Sequence, residues 1–387
     1  MHDVTMSRVA RPIAVRTATG VLFFALGIGF GVWATQIPRL KANLGLSDGA
    51  LSVALLSFAL GAILLMPVTG WVTARLGSRI ATIVSSVAFG ATMGLLGLAP
   101  SLSWLVAATL VAGAASGAMD VAMNTHATAT ERAWGAPIMS SFHGFFSLGG
   151  LLGAAAGGGL IALDLSAAAA MGVAGLVAAL LALSAAPFLR LEGEGPEGGH
   201  AFAWPTRAVL GIGMLTFLCL MMEGAVADWS AVYLRDVVGA SLVSAGLGYA
   251  AFSLAMMVCR FAGDGIVRRF GRVRVVGIGG GLAALGFILV VATPWPFVTA
   301  LGFGLVGLGL ANLVPVLFSA AGDAGGMTPG VGVAMAATVG YAGFMLGPPV
   351  IGLTAEVMGL RAALALLAIG AACTVVFARA ADDRRST

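Results

Sequence analysis

Apolar residues occupy this chain in runs of about twenty, each closed by a short stretch carrying glycine, proline or arginine. A run of that length is what an α-helix needs to cross the hydrocarbon core of a bilayer. Taking turns and charges as boundaries predicts spans near 17–38, 48–73, 80–99, 103–126, 138–162 and 167–188. A second set follows near 207–234, 242–266, 274–293, 296–320, 330–354 and 360–378. The pattern therefore predicts an all-α membrane protein with twelve transmembrane helices.

The runs also repeat. A shift of 194 residues brings "ARLGSR" (74–79) onto "RRFGRV" (268–273), each just after the second span of its set. The same shift matches Ser47 with Ser241 and Phe58 with Phe252, and a shift of 192 sets "GAMD" (117–120) on "GLAN" (309–312). The stretch "RLEGEGPEGGHAFAWP" (190–205), rich in Gly and Glu, cannot bury a core and reads as a linker. The expected organisation is two pseudo-symmetric six-helix bundles, an N-terminal half over 1–190 and a C-terminal half over 207–387, joined by a cytoplasmic linker over 191–206. Parallel repeats of this kind are a transporter plan, with the solute site near the bilayer midplane at the repeat interface.

Composition excludes other classes. The chain is 59% hydrophobic and 9% charged, where soluble domains carry about 25% charged residues. A net charge of +4 would suggest nucleic acid in a soluble protein, but here the cations sit in loops. Counting Lys and Arg on alternate sides gives fifteen against Arg39, Lys41, Arg235 and Arg361, with Arg260 left inside a span. By the positive-inside rule both termini are expected in the cytoplasm. The first run flows into "WATQIPRLK" with no small-residue cleavage site, so it reads as a retained span. Cys219, Cys259 and Cys373 lie in apolar runs without metal spacing and read as small core residues. No nucleophile–base pair, metal-ligand set or phosphate loop suggests an enzyme, and no cofactor is expected.

The loop "GWVTARLGSR" (70–79) resembles the signature loop of the major facilitator superfamily, Gly-x-x-x-Asp-Arg-x-Gly-Arg-Arg. Gly70, Arg75, Gly77 and Arg79 match, while Ala74 stands at the aspartate and Ser78 at the first of the closing arginines. "GAMDVAMN", "MSSFHGFFSLGG", "EGAVADWSAVYLRD", "GLANLVPVLFSAAG" and "GYAGFMLGPP" are similar to a MosC-like bacterial subgroup of that family. The resemblance implies the superfamily fold, with spans 1, 4, 7 and 10 around a central cavity, and a bacterial inner-membrane location. It points to a sugar- or cyclitol-like solute carried by a monomer, with protons and the lipid bilayer as its other partners. Span 5 lacks the Gly-Pro motif of the family's proton antiporters, which weighs against drug efflux.

Charges inside a span cost about 2.5–3.5 kcal/mol on insertion scales and usually face a cavity or a partner. Asp120 and Asn124, four apart on span 4, are expected on one face, as a protonatable carboxylate beside an amide that can meet solute hydroxyls. Asn312 is the repeat partner on span 10 and cannot titrate. Glu223 and Asp228 on span 7 have no acidic counterpart in the first half, where Gly29 and Ala34 stand. Glu223, Asp120 and Asp228 are therefore the proton-coupling candidates. His143 on span 5 suits solute binding or proton relay, while His126 reads as interfacial. Trp33, Gln36, Trp229 and Tyr341 add aromatic faces and an amide suited to a sugar. Arg260 and Asp264, four apart on span 8, are expected to form an ion pair and, with Arg75, Arg79 and Arg269, to hold the cytoplasmic gate. The expected activity is proton-coupled symport; a proton-antiport exporter is the alternative, and a non-transporting receptor a more remote one.

Overall fold

The computed structural model describes residues 2–189, 206–324 and 329–382, and the expected linker lies almost wholly outside them. Eleven described helices have the length and apolar character of membrane spans, and Leu360–Val376 is a shorter apolar twelfth. At 17 residues that helix sits at the lower limit for crossing the hydrocarbon core. The described residues contain no strand.

In chain order the helices are α1 (His2–Asn43), α2 (Asp48–Leu76), α3 (Ser78–Gly97), α4 (Leu102–Trp134), α5 (Met139–Ala162) and α6 (Ala167–Ala185). Then follow α7 (Arg207–Val232), α8 (Leu247–Phe270), α9 (Arg272–Ala292), α10 in two pieces (Pro296–Leu310 and Leu313–Gly322), α11 (Pro329–Met358) and α12 (Leu360–Val376). A one-turn helix, Leu242–Ala245, leads into α8.

The chain forms two compact units. The first takes Met1–Leu44 and Ser57–Glu197; the second takes Gly198–Thr387 and also Gly45–Leu56. The opening turns of α2 thus cluster with the second unit, where the Gly49 N–H donates to Glu356 Oε2 of α11 at 2.8 Å. Nothing in the apolar pattern of span 2 announces that division.

Inside each unit the repeat reappears as shared local geometry. Ser47 Oγ accepts from Ala50 N at 3.2 Å, and its repeat partner Ser241 Oγ accepts from Ser244 N at 3.2 Å, so both cap the entry to the second span. Gly77, between α2 and α3, has φ 83° and ψ 153°; Gly271, between α8 and α9, has φ 75° and ψ 157°. Side chains other than glycine's are effectively excluded there, so each signature loop turns on a residue that must be glycine.

Packing follows the same shift. A Cβ on Gly113 of α4 would collide with the Phe58 backbone carbonyl of α2, and one on Gly307 of α10 with the Phe252 carbonyl of α8. Small residues let these membrane helices approach backbone to backbone, which is how helices associate where lipid supplies no hydrophobic contrast. The broadest association in the first unit is α1 with α5, and in the second α7 with α11.

Two irregularities position polar groups. Pro315 lacks an N–H and crowds the carbonyl four residues back, so α10 breaks at Ala311–Asn312. Asn312 stands at the break with φ −108° and ψ −1°. At the end of α7, Tyr233–Val237 forms a π-helical turn, closed by Val238 N donating to Tyr233 O at 3.1 Å. The Tyr233 hydroxyl donates to Val290 O of α9 at 3.2 Å.

Candidate transport site

In the second unit the polar side chains of α7, α8 and α10 gather around one ion pair. Arg260 Nη2 donates to Glu223 Oε1 at 3.2 Å, with the two side chains 9% and 17% exposed. One residue before Arg260, the Cys259 carbonyl accepts from Asn312 Nδ2 at 3.4 Å. Gly263 leaves the room that the Asn312 amide occupies, so the break in α10 brings that amide against the turn of α8 carrying Arg260.

Aromatic groups flank the pair. Tyr249 and Phe252 of α8 stack at 6.2 Å between centroids. Tyr249, one turn before Ser253 on α8, lies within electrostatic reach of Glu223, Arg260 and Asp228. On α11, Tyr341 and Phe344 lie 6.2 Å apart, and the Phe344 ring packs on Gly224, next to Glu223. Asp228 is half-buried one turn further along α7, and Trp229 beside it is fully buried. The arrangement offers paired charges, an amide, two hydroxyls and ring faces, a set able to bind a polar solute of modest size.

Sequence reasoning missed Tyr249 and Ser253. A signal existed, because 249, 253, 256 and 260 are spaced as one helical face ending on Arg260. It also assigned Arg260 to the cytoplasmic gate with Asp264. Arg260 also joins the proton-coupling candidate Glu223 on another helix, a contact that spacing along one helix cannot reveal. The Asp264 side chain lies outside the described residues.

In the first unit Asn124 Nδ2 donates to the Asp120 carbonyl at 2.8 Å and to Asp120 Oδ1 at 3.0 Å. The expected shared face is present, and the amide nitrogen is engaged by the carboxylate one turn earlier. His143 of α5 meets the Phe23 ring edge-on at 5.3 Å, and Phe23 stacks on Phe142 at 5.6 Å. Trp33 lies in an apolar recess with Phe30, Phe58, Phe89, Met93 and Leu96. Gln36, three residues on, is fully buried.

The cationic residues expected at the gate have local partners. The Arg75 guanidinium lies 4.2 Å over the exposed Trp71 ring, and Arg269 lies 5.6 Å over Phe270. Arg79 donates from Nε and Nη2 to the Ala186 carbonyl at 3.2 and 3.1 Å, capping the end of α6. His126 corrects an expectation. It is fully buried rather than interfacial, and its Nδ1 lies 2.7 Å from Ser78 Oγ. Ser78, one of the two residues that depart from the signature, thus supplies a buried polar partner between α3 and α4.

Comparison with known proteins places this geometry. The family profile of the Major Facilitator Superfamily matches residues 19–268. The chain is 39% identical over 359 residues to an uncharacterized MFS-type transporter of Yersinia pestis, covering 92% of this chain and 93% of that one. It is 35% identical over 372 residues to the membrane protein MosC of Rhizobium meliloti, covering 93% and 89%. Among solved structures, the nucleoside transporter NupG matches with a TM-score of 0.70 at 15% identity, covering 95% of this chain and 98% of that one. A bacterial homolog of the human lysosomal transporter Spinster, inward-facing and unoccupied, matches with a TM-score of 0.70 at 14% identity, covering 96% and 97%. At such identities the structural likeness speaks for the fold alone. The family profile and the long, well-covered relatives go further: the chain is a multi-pass membrane protein, not an enzyme, and belongs to the Major Facilitator Superfamily of transporters.

Proposed function

We propose that this transporter moves a small polar solute, sugar- or cyclitol-like, by alternating access coupled to protons, with Glu223 as the main coupling group. The observation that carries the reading is the Glu223–Arg260 pair at 3.2 Å, held between two membrane-spanning helices. In that setting each charge is tolerable because the other is present. A proton on Glu223 removes one charge of the pair and weakens the hold of Arg260 on it. The two protonation states therefore favour different arrangements, which is what coupling requires. A hydroxylated solute supplies acceptors for Arg260 while Asn312 donates and the rings of Tyr249 and Tyr341 meet its apolar faces. Asp120 and Asp228 are the accessory carboxylates, and Asn124 and His143 are the first unit's candidates for solute contact.

The cation distribution supports a bacterial inner-membrane protein with both termini in the cytoplasm. The working unit in this reading is a monomer. Uptake by purified protein in liposomes tests the proposal, using hexoses, inositols and nucleosides with and without an imposed pH gradient. Gradient-dependent uptake of one polyol, lost in Glu223→Gln, is expected. Uptake indifferent to the gradient in the wild type would exclude proton coupling, and binding of hydrophobic cations alone would point to efflux instead.

A further inference from the structure

Asp228 on α7 is a carboxylate without a cation of its own. Glu223, on the same helix, has Arg260 at 3.2 Å, whereas among the described residues Asp228 has neither an ion pair nor a hydrogen bond. From Gly224 to Leu234 every residue is buried except Ala227 and Asp228. The carboxylate therefore stands at an opening in otherwise closed packing, where a group from outside the chain can reach it.

The same opening adjoins the Glu223–Arg260 pair. Buried Tyr249 of α8 lies within electrostatic reach of Asp228, Glu223 and Arg260 alike. Around that phenol stand two carboxylates and one guanidinium, so with all three ionised the balance there is one negative charge. Inside a membrane-spanning segment a charge needs a partner. Glu223 takes its partner from the protein; for Asp228 the described chain offers none, which leaves the solute as the source.

We infer that the solute bears a primary ammonium group, which pairs with Asp228 while its hydroxyls meet Arg260 and Asn312. The inference rests on the transport reading above and narrows its solute to an amino-substituted sugar or polyol. It does not rest on proton coupling. An ammonium donates hydrogen bonds and a carboxylate accepts them, and bonds between ionised partners are roughly twice as strong as neutral ones. The Tyr249 ring adds a face on which a cation is stabilised. The same balance of charge rejects a solute carboxylate, which would add a further anion and compete with Glu223 for Arg260. Asp228 is thereby the residue that sets specificity for charge, apart from the role of the Glu223–Arg260 pair.

The test titrates purified full-length protein at neutral pH with matched pairs that differ by an amine for a hydroxyl. Glucosamine is set against glucose, galactosamine against galactose and glucamine against sorbitol, with glucuronate as the anionic control. Calorimetry is expected to show at least one amine binding about tenfold or more tighter than its hydroxyl counterpart, and glucuronate binding worst. In Asp228→Asn the members of that pair should bind alike. Wild-type protein in which no amine outbinds its counterpart overturns the inference, as does an Asp228→Asn variant that keeps the preference. Melting temperature without solute gives an independent arm. With no protein group to lose, Asp228→Asn should melt within about 2 °C of wild type, and a larger fall overturns the inference by revealing a partner in the protein. These readouts need no pH gradient. Gradient-driven uptake of glucose with no amine preference removes this inference and leaves the transport reading standing. An amine preference lost in Asp228→Asn, in protein whose uptake ignores the gradient, removes the coupling and leaves this inference standing.

Discussion

Arg260 on α8 reaches Glu223 on α7, 37 residues away in sequence, with a 3.2 Å charge-assisted hydrogen bond inside the membrane-spanning part of the second unit. Removing one partner unbalances the charge of the pair. Glu223→Gln or Arg260→Met alone should each cost on the order of 3 kcal/mol, whereas the double variant should recover much of that loss. Thermal unfolding in detergent measures both. Transport should not recover with stability, because the double variant keeps the packing and loses the titrating group. Recovery of gradient-driven uptake in the double variant would remove Glu223 from the coupling scheme.

Gly113 and Gly307 should tolerate no larger residue. Gly113→Val or Gly307→Val drives a side chain into the Phe58 or Phe252 carbonyl, and overpacking of this kind costs about 1–3 kcal/mol or more where backbone must move. Gly159 of α5 faces open space, so Gly159→Ala should be neutral or slightly stabilising through its higher helix propensity. Gel-filtration yield and melting temperature of the three variants give the comparison.

Restoring the family signature at Ser78 should harm this protein. Ser78 is 3% exposed and bonds the buried His126 at 2.7 Å. Ser78→Arg would put a cation into that space and remove a partner from the imidazole, a loss of about 2 kcal/mol or more. Ser78→Ala removes only the bond and should cost less. If Ser78→Arg melts at or above the wild-type temperature, the contact with His126 is dispensable.

Asp120 and Asn124 separate by a conservative exchange. Asp120→Asn preserves the shape and keeps the carbonyl and side-chain acceptors that Asn124 uses, so the fold should be retained within about 1 kcal/mol. If the carboxylate carries a proton, gradient-driven uptake should drop about tenfold or more while counterflow exchange, which needs no net proton movement, survives. Equal loss of both activities would make Asp120 a positioning group for α4.

Much of the architecture was readable without coordinates. Unbroken apolar runs, Gly77 and Gly271 in matching loops, and the Ser47/Ser241 and Phe58/Phe252 matches all act locally or repeat by a constant shift. Their structural meaning, capping and close helix approach, follows from position in the repeat. Tyr249 and Ser253 were legible in principle, as one face of α8, but nothing in the sequence ranked that face above others. His126 was misplaced because distance from a span's end does not tell which way a side chain points.

What the sequence by itself determined is the class of molecule: hydrophobic blocks too long and too apolar for water, duplicated, with cations segregated to one side. Those properties reside in the covalent chain and in its partition between water and lipid. Which charges neutralise each other was decided only by tertiary structure. Helical spacing can propose Asp264, four residues from Arg260, but the contact between Arg260 and Glu223 joins two helices and depends on how they pack. Likewise the opening turns of α2 cluster with the second unit. Pairing between helices depends on their rotation and depth, which arise from the summed packing of glycines, proline breaks and aromatic rings across several spans.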